Sequence, residues 1–243
     1  MRVPRGYHDG ELAVGTEVVL GEALASHLTR VLRLRSGDGV RLFDGRGLEV
    51  RAVLAAPEKR RMSACIEAVI EALPESPLRL TLAQGICRGE KMDLVLQKAT
   101  ELGVQAIQPL LTLRTEVRLD AERASRRMAH WREVVVAACA QCGRATLPQL
   151  HAPMALPHWL ATLEGDRSPR LLLDPQGTMR LSDLAAASAM LLAVGPEGGF
   201  DEDEAMRMQG CGFAGLRLGP RVLRTETAGL AAIAALQARC GDL

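Results

Sequence analysis

Aromatic residues are scarce in this chain of 243 residues and make up only 2% of its composition. We therefore expect a core built from Leu, Val, Ala, Ile and Met. The same scarcity disfavours a binding surface of stacked aromatic side chains, which common single-strand nucleic-acid-binding proteins use. The hydrophobic fraction of 48% and the charged fraction of 24% are ordinary for a globular protein, and the length suits one large domain or two modest ones.

A strong net charge is missing as well. The formal net charge is +1, so the chain as a whole gives no electrostatic case for a nucleic-acid partner. Lysine occurs only at positions 59, 91 and 98, and the other basic residues are arginines. Arginine suits bidentate binding of phosphate, but a bias of this kind more often reflects genomic base composition.

Neither a cysteine framework nor a long apolar segment is present. The six cysteines are scattered, and the pair formed by Cys139 and Cys142 lacks the second pair that would complete a zinc site. We therefore expect buried thiols and no metal. No apolar run approaches the roughly 18 residues of a membrane helix, and no charged leader precedes an apolar segment, so we expect a cytoplasmic protein with no membrane partner.

What the chain does contain is two glycine–proline turns, each of which follows an apolar segment. Residues 191–194 predict a buried strand that runs into the sequence GPEGGF (195–200), after which Asp201 and Glu204 have the spacing of a helix capping box. Residues 216–218 predict a second strand, followed by a Gly-Pro turn and a polar run before a helix. Two such strand ends suit one rim of a parallel sheet, where α/β proteins bind ligands.

Each stretch also has an ordinary structural interpretation, because glycine–proline turns commonly end strands. Neither stretch matches the G-x-G-x-x-G dinucleotide fingerprint, and no Lys-Ser or Lys-Thr follows the glycines as a P-loop requires. The sequence therefore disfavours both a Rossmann dinucleotide site and a nucleotide hydrolase.

The stretches GPEGGF (195–200) and LGPRVLRTETA (218–228) together resemble the C-terminal signature of the RsmE family of 16S rRNA uridine-N3 methyltransferases, within the SPOUT superfamily. The resemblance covers nearly the whole chain and implies an S-adenosylmethionine-dependent enzyme that methylates N3 of a uridine, giving m3U1498. It also implies a homodimer and, as partner, 16S rRNA or the assembled small ribosomal subunit. Further matching segments follow in the expected order at 27–33, 37–38, 42–45, 91–93, 97–104 and 141–144.

The order of predicted elements indicates an α/β protein preceded by a β-rich module. Residues 1–72 contain predicted strands at 17–20, 39–43 and 48–54, a hairpin turn at 44–47 and a helix over 22–33. Residues 73–77 predict a linker, and residues 78–243 alternate strands with helices, as in a mostly parallel sheet. The strands are predicted at 78–83, 104–110, 170–173 and 190–194, and the helices from 89 to 102 and over 121–142, 180–187 and 227–239.

The resemblance adds to this pattern what periodicity alone does not predict. It implies that residues 1–72 form a PUA-like RNA-binding β-barrel and that residues 78–243 form a SPOUT methyltransferase domain with a C-terminal trefoil knot. It further implies that three strand-end loops hold the cofactor and that Leu218, Leu223 and Ala228 line its adenine. The residues expected to bind the cofactor are Leu173, Gly195, Glu197, Gly198, Leu218, Gly219, Leu223, Thr225 and Ala228.

Transfer of a methyl group to uridine N3 requires removal of a weakly acidic imide proton. A carboxylate could accept this proton, and an arginine could stabilise the negative charge on the flanking carbonyl oxygens. Glu226 and Arg224 are the candidates, and Arg114 or Arg144 could supply the cation instead. A purely structural role of Glu226 at the start of a helix stays open.

Arginines are the candidates for RNA contact. Arg30 and Arg33 would lie one turn apart on one face of the helix at 22–33, although a solvated charged face fits that pattern equally well. Two alternatives stay open for the function: a SPOUT enzyme that modifies another RNA position, and a non-catalytic RNA-binding protein of ribosome assembly. The residues expected to bind RNA are Arg5, Arg30, Arg33, Arg114 and Arg144.

Overall fold

The computed structural model describes residues 3–57, 61–117 and 120–243, which form two compact units. The first unit contains residues 1–75 and 136–147, and the second contains residues 76–135 and 148–243. Each unit has its own sheet and its own hydrophobic core.

The first unit is built on a five-stranded sheet. Its strand order is β1-β3-β4-β5-β2, with β1 parallel to β3 and all other neighbours antiparallel. The three predicted strands and the hairpin turn are confirmed, and in the turn the Asp44 carboxylate accepts hydrogen bonds from the backbone N–H groups of Arg46 and Leu48. The strands are β1 (Arg5–Tyr7), β2 (Glu17–Val19), β3 (Gly39–Phe43), β4 (Glu49–Leu54) and β5 (Ser63–Ile70).

The helix predicted over 22–33 is wrong in its second half. Helix α1 (Glu22–Ser26) is followed by one π-helical turn (His27–Val31), and Arg33 has a φ of 57°. This wider turn places Leu28 in the core with no exposed surface. Because Arg33 lies beyond the turn in a left-handed conformation, Arg30 and Arg33 do not share a helix face.

The second unit is built on a parallel sheet, as the alternation of strands and helices predicts. Its order is β12-β10-β11-β6-β7-β8, and β9 also pairs with β7. The strands are β6 (Arg79–Gly85), β7 (Ala106–Leu111), β8 (Gln149–Leu150), β9 (Met154–Ala155), β10 (Arg170–Leu173), β11 (Ala189–Val194) and β12 (Phe213–Leu216). The helices are α2 (Lys91–Glu101), α3 (Ala121–Cys142, of which residues 136–142 belong to the first unit), α4 (Leu156–Thr162), α5 (Glu202–Gly210) and α6 (Thr225–Cys240).

Two predictions in this unit need correction. The helix predicted over 180–187 is a single 3-10 turn (Leu181–Asp183), in which the Asp183 carboxylate accepts a hydrogen bond from the Arg180 amide. The alanines that follow offer no apolar stripe to bury, so helix formation has little to stabilise it. The strand predicted at 216–218 is instead β12, which ends at Leu216.

The expected core of Leu, Val, Ala, Ile and Met is confirmed, and the few aromatic residues are concentrated within it. Trp131 and Phe43 are among the largest fully buried side chains, and Trp159 packs on Phe213 with ring centroids 5.7 Å apart. The expectation of buried thiols is wrong for Cys65, which is exposed. Within the described ranges, no helix has the length and hydropathy to cross a membrane.

Candidate functional site

Four neighbouring strands of the second unit end at the same edge of the sheet. They are parallel and adjacent in the order β12, β10, β11 and β6, and their last residues are Leu216, Leu173, Val194 and Gly85. The loops that follow therefore leave the sheet at its carboxyl edge, where ligands bind in open α/β sheets. These loops include all three that the sequence predicts for the site.

The loop after β11 folds back on itself without room for a side chain at its first residue. A Cβ atom on Gly195 would lie 2.9 Å from backbone atoms of Gly199 and Phe200. A Cβ on Gly85, at the end of β6, would lie 2.5 Å from the backbone nitrogen of Pro196. The sequence prediction of close backbone approach at Gly195 thus has a cause inside the protein, and Gly85 is a second such position outside the predicted site.

Glu197 attaches this glycine loop to the segment after β6. Its Oε1 accepts hydrogen bonds from the Arg88 amide and from Lys91 Nζ, both at 3.1 Å. Partial burial acts to raise the pKa of Glu197, but hydrogen bonds from its own backbone, Lys91 and Arg88 outweigh burial and hold the pKa below its ordinary value. This attachment is therefore present at neutral pH and is lost only as the pH falls through that lowered pKa.

Arg114 holds the other side of the loop. Its guanidinium donates to the Gly198 carbonyl oxygen at 3.0 Å and to the Asp201 carboxylate at 3.1 Å. A Cβ on Gly198 would lie 3.2 Å from Cβ of Arg114. Arg114 is thus placed beside the predicted cofactor loop, with its guanidinium bonded to that loop.

The predicted capping box at the start of α5 is confirmed. The Asp201 carboxylate accepts a hydrogen bond from the Asp203 amide, and Glu204 Oε2 accepts one from the Asp201 amide. Glu204 is buried, and its Oε1 also accepts a hydrogen bond from the Leu113 amide at 2.8 Å. The acidic run at 201–204 therefore contains a buried structural carboxylate as well as a solvated helix start.

The start of helix α6 is bonded to the start of the glycine loop. The Thr225 hydroxyl donates to the Gly195 carbonyl oxygen at 2.5 Å, and Gln84 Nε2 donates to Thr225 Oγ1 at 3.1 Å. Gln84 is fully buried near the end of β6, and it lies outside the residues that the sequence predicts for the site. The sequence gives little signal for this role, because Arg79 and Thr81 of the same strand are polar as well.

Glu226 follows Thr225 in the first turn of α6. Its Oε2 is buried and has no hydrogen-bond partner among the described residues, so this oxygen does not cap the helix. Arg224 is exposed and precedes the helix, and its side chain makes no capping hydrogen bond either. Of these three consecutive residues, Thr225 contacts the glycine loop, and Arg224 and Glu226 are its neighbours in the chain.

The remaining predicted cofactor residues lie on the same loops. Leu173, at the end of β10, is half-buried. Leu218, Leu223 and Ala228 are also half-buried and flank the turn at Gly219, which is exposed and has a φ of 73°. Contact of these residues with a cofactor stays a prediction.

Cys87 lies behind the site and its thiol is unreactive. Burial, with smaller contributions from the charges of Glu197 and Glu226, raises the pKa of Cys87 to about 11 against a lowering by the Thr225 hydroxyl. A thiolate is therefore absent at neutral pH, which disfavours nucleophilic chemistry by this residue.

The arginines predicted for RNA contact fall into two groups in the first unit. Arg5 forms a bidentate ion pair with Glu49, and both side chains are less than 5% exposed. Arg144 is buried as well and pairs with Glu75. Neither guanidinium can reach phosphate without breaking a buried ion pair, which is costly. Two others are exposed and pair with no carboxylate among the described residues: Arg30 and Arg33.

Comparison with known proteins identifies the family. A model described as an RNA methyltransferase domain matches residues 74–237, and one described as an RNA methyltransferase PUA domain matches residues 20–65. The ribosomal RNA small subunit methyltransferase E of Buchnera aphidicola subsp. Acyrthosiphon pisum (strain APS) is 31% identical over 242 residues, which are 99% of this chain and 95% of that protein. The chain belongs to the ribosomal RNA small subunit methyltransferase E family.

Two solved structures resemble this member of the family over the full length of both chains. A putative methyltransferase from Legionella pneumophila, in complex with S-adenosylmethionine, is 38% identical with a TM-score of 0.95. A ribosomal RNA small subunit methyltransferase E from Neisseria gonorrhoeae, bound to S-adenosylmethionine, is 40% identical with a TM-score of 0.92. The resemblance stated from the sequence motifs is thus confirmed at the level of the family.

Proposed function

We propose that this protein uses S-adenosylmethionine to methylate N3 of a uridine in 16S rRNA. Membership of an RNA methyltransferase family supports the reaction class, and the cofactor complexes of two structural relatives support the cofactor. The observation that carries the proposal is the Glu226 carboxylate. Its buried Oε2 has no partner among the described residues, and Thr225 ties the start of its helix to the glycine loop.

The residues at the carboxyl edge suit S-adenosylmethionine, which combines an apolar adenine with a cationic sulfonium. Leu218, Leu223 and Ala228 offer half-buried apolar surface for the adenine. We therefore assign cofactor binding to the loops that begin at Leu173, Gly195 and Leu218.

The cofactor supplies an electrophilic methyl group when it is bound. Glu226 then accepts the imide proton from uridine N3, which is a poor nucleophile until that proton is removed. Arg224, exposed beside Glu226, stabilises the negative charge that develops on the uracil carbonyl oxygens. Loops held by the Glu197 and Arg114 hydrogen bonds keep these groups aligned, and alignment supplies a large share of the rate enhancement.

We propose that residues 1–72 bind RNA, that 73–77 is a linker and that residues 78–243 carry the transfer. Arg30 and Arg33 are the candidates for phosphate contact because they are exposed and unpaired with carboxylates among the described residues. Arg51 provides a matched control, since it is an exposed arginine of the same unit whose guanidinium already pairs with Glu67.

We also propose a homodimer and a trefoil knot. Ile233 and Leu236 of helix α6 are buried within the chain itself and so do not support the dimer, which rests on the resemblance to the family. Sedimentation that shows a monomer at working concentration, together with full activity in the methylation assay, would refute the dimer. The knot rests on the resemblance to the family.

Methylation of small subunits that lack the modification tests the function. Purified protein with radiolabelled S-adenosylmethionine should label one uridine of 16S rRNA, and mass mapping should place the added mass on its base. Label at another nucleotide would favour a different target within the same reaction class. Cofactor binding in calorimetry without any labelled RNA would favour a non-catalytic protein of ribosome assembly.

A further inference from the structure

Gln84 joins three parts of the second unit through a single side-chain amide. It is the penultimate residue of β6, which lies between β11 and β7, and it is 0% exposed. Its Nε2 lies 2.9 Å from the Gly85 carbonyl oxygen, 3.1 Å from Thr225 Oγ1 and 3.4 Å from the Gly195 carbonyl oxygen. One amide thus contacts its own strand, the start of helix α6 and the glycine loop.

The donors and acceptors of Gln84, Thr225 and Gly195 fit one another, and the Cys87 thiol lies beside them, 3.5 Å from Gln84 Nε2. The Thr225 hydroxyl donates its hydrogen to the Gly195 carbonyl oxygen, so its oxygen is left to accept from Gln84 Nε2. Carbonyl oxygens only accept, which fixes Nε2 as the atom that faces Gly85 and Gly195. The start of α6 is therefore held by a closed triangle of Gln84, Thr225 and Gly195.

The oxygen of the same amide group lowers the stability of the fold in a way that an apolar side chain would avoid. Gln84 Oε1 is buried with no hydrogen-bond partner among the described residues. A Cβ on Gly229 of α6 would lie 3.6 Å from this oxygen and 3.5 Å from Val194, so the helix packs closely at this position. A buried unsatisfied acceptor is destabilising and calls for an explanation beyond packing.

We propose that Gln84 is a positioning residue for methyl transfer, because its amide fixes where helix α6 begins relative to the glycine loop. This inference rests on the proposed function, in which Arg224 and Glu226, the two neighbours of Thr225 in the chain, act on the uracil. Gln84 touches neither cofactor nor RNA in this role and acts through the Thr225 hydroxyl.

The loop and the helix start should respond differently to loss of Gln84. The glycine loop keeps its hydrogen bonds from Lys91 to Glu197 and from Arg114 to the Gly198 carbonyl oxygen. The Thr225 hydroxyl, in contrast, loses the donor that sets its direction. Loss of the Gln84 amide should therefore lower kcat more than it weakens cofactor binding.

Gln84→Met is the informative variant, since methionine has a similar length and shape but cannot donate a hydrogen bond. Its kcat on small subunits should fall by roughly 10- to 100-fold, because small misplacements of reacting groups have effects of that size. The Kd for S-adenosylmethionine should stay within about threefold in calorimetry. Hydrogen exchange of the cofactor-free protein should accelerate by about fivefold or more at the amides of the first two turns of α6.

Gln237→Met is the matched control. Gln237 is also 0% exposed and lies near the other end of α6, where it accepts from Ser76 and donates to the Leu102 carbonyl oxygen. This variant should lower the melting temperature and speed exchange at the C-terminal end of α6, while its kcat stays within about twofold of wild type. Thr225→Val in the Gln84→Met background should add little to the loss, because both changes break one triangle.

The possible outcomes separate this inference from the proposed function. Equal losses of kcat in Gln84→Met and Gln237→Met would reduce Gln84 to a structural residue and overturn the inference. Unchanged exchange at the start of α6 in Gln84→Met would overturn it as well, and this measurement needs neither RNA nor turnover. A wild-type protein that binds the cofactor but labels no uridine would instead refute the proposed function.

Discussion

Replacement of Glu226 by glutamine separates a proton acceptor from a helix-start residue. Glutamine has the same size and shape, so the change removes one negative charge and a proton-accepting oxygen without creating a cavity. If Glu226 accepts the imide proton, kcat should fall by roughly 10²–10⁴-fold, which corresponds to about 2.7–5.5 kcal/mol in the activation free energy. The Kd for S-adenosylmethionine should change far less than kcat.

The same substitution should lower the free energy of unfolding only slightly. Loss of a negative charge from the first turn of a helix costs about 0.3–1 kcal/mol. Glutamine keeps a polar atom at the buried position of Glu226 Oε2, which has no hydrogen-bond partner among the described residues, so the desolvation cost there is not removed. A helix-capping role would give a lower melting temperature with nearly normal turnover.

Single-turnover methylation of small subunits near pH 7.5 and near pH 9.5 measures the loss. Higher pH should restore part of the activity of Glu226→Gln, because hydroxide replaces the missing carboxylate. Glu202→Gln is the matched control, since Glu202 is an exposed acidic residue in the first turn of α5. Turnover within about threefold of wild type in Glu226→Gln, together with normal turnover in Arg224→Lys, would refute the assignment of this pair.

Three further predictions test the loops and the RNA-binding unit. Gly198→Val should abolish S-adenosylmethionine binding in calorimetry while far-UV dichroism stays nearly intact, because a Cβ there meets a neighbouring side chain at 3.2 Å. Arg30→Ala combined with Arg33→Ala should reduce the slope of log K for RNA binding against log salt concentration by ~0.7–0.9 for each phosphate that is no longer neutralised. An unchanged slope would mean that this face is merely solvated. Iodoacetamide near pH 8 should alkylate the exposed Cys65 and leave Cys87 unlabelled, because burial raises the pKa of Cys87 to about 11; equal labelling would contradict that burial.

The sequence predicts those parts of the fold that depend on neighbouring residues. The capping box of Asp201 and Glu204 needs only their spacing, and the hairpin at 44–47 needs only an aspartate and two glycines. The parallel sheet follows from alternating elements. Arg33 shows where local reasoning fails, because a helical pattern continues through it, whereas the chain widens into a π-helical turn at His27–Val31 and then leaves the helix.

Charged side chains show the same limit more clearly. Arg5 and Arg144 are indistinguishable in the sequence from Arg30 and Arg33, yet the first two are buried in ion pairs with carboxylates 44 and 69 residues away in the chain. An arginine is available to bind phosphate when its guanidinium is not already in an ion pair with a carboxylate of the fold. Which arginines form such ion pairs depends on tertiary contacts that composition and periodicity do not predict.

The site depends on such distant contacts for its alignment as well. Gln84 reaches Gly195 and Thr225 across 111 and 141 residues of chain, and no motif includes all three. The family signature contains the glycine loop and the start of α6, but it does not contain the strand-end amide that sets their separation. Two buried oxygens, Gln84 Oε1 and Glu226 Oε2, remain without partners within the described residues on either side of this connection. A fold selected for stability alone would replace such atoms, so their position at one edge of the sheet is best explained by the chemistry that we assign to that edge.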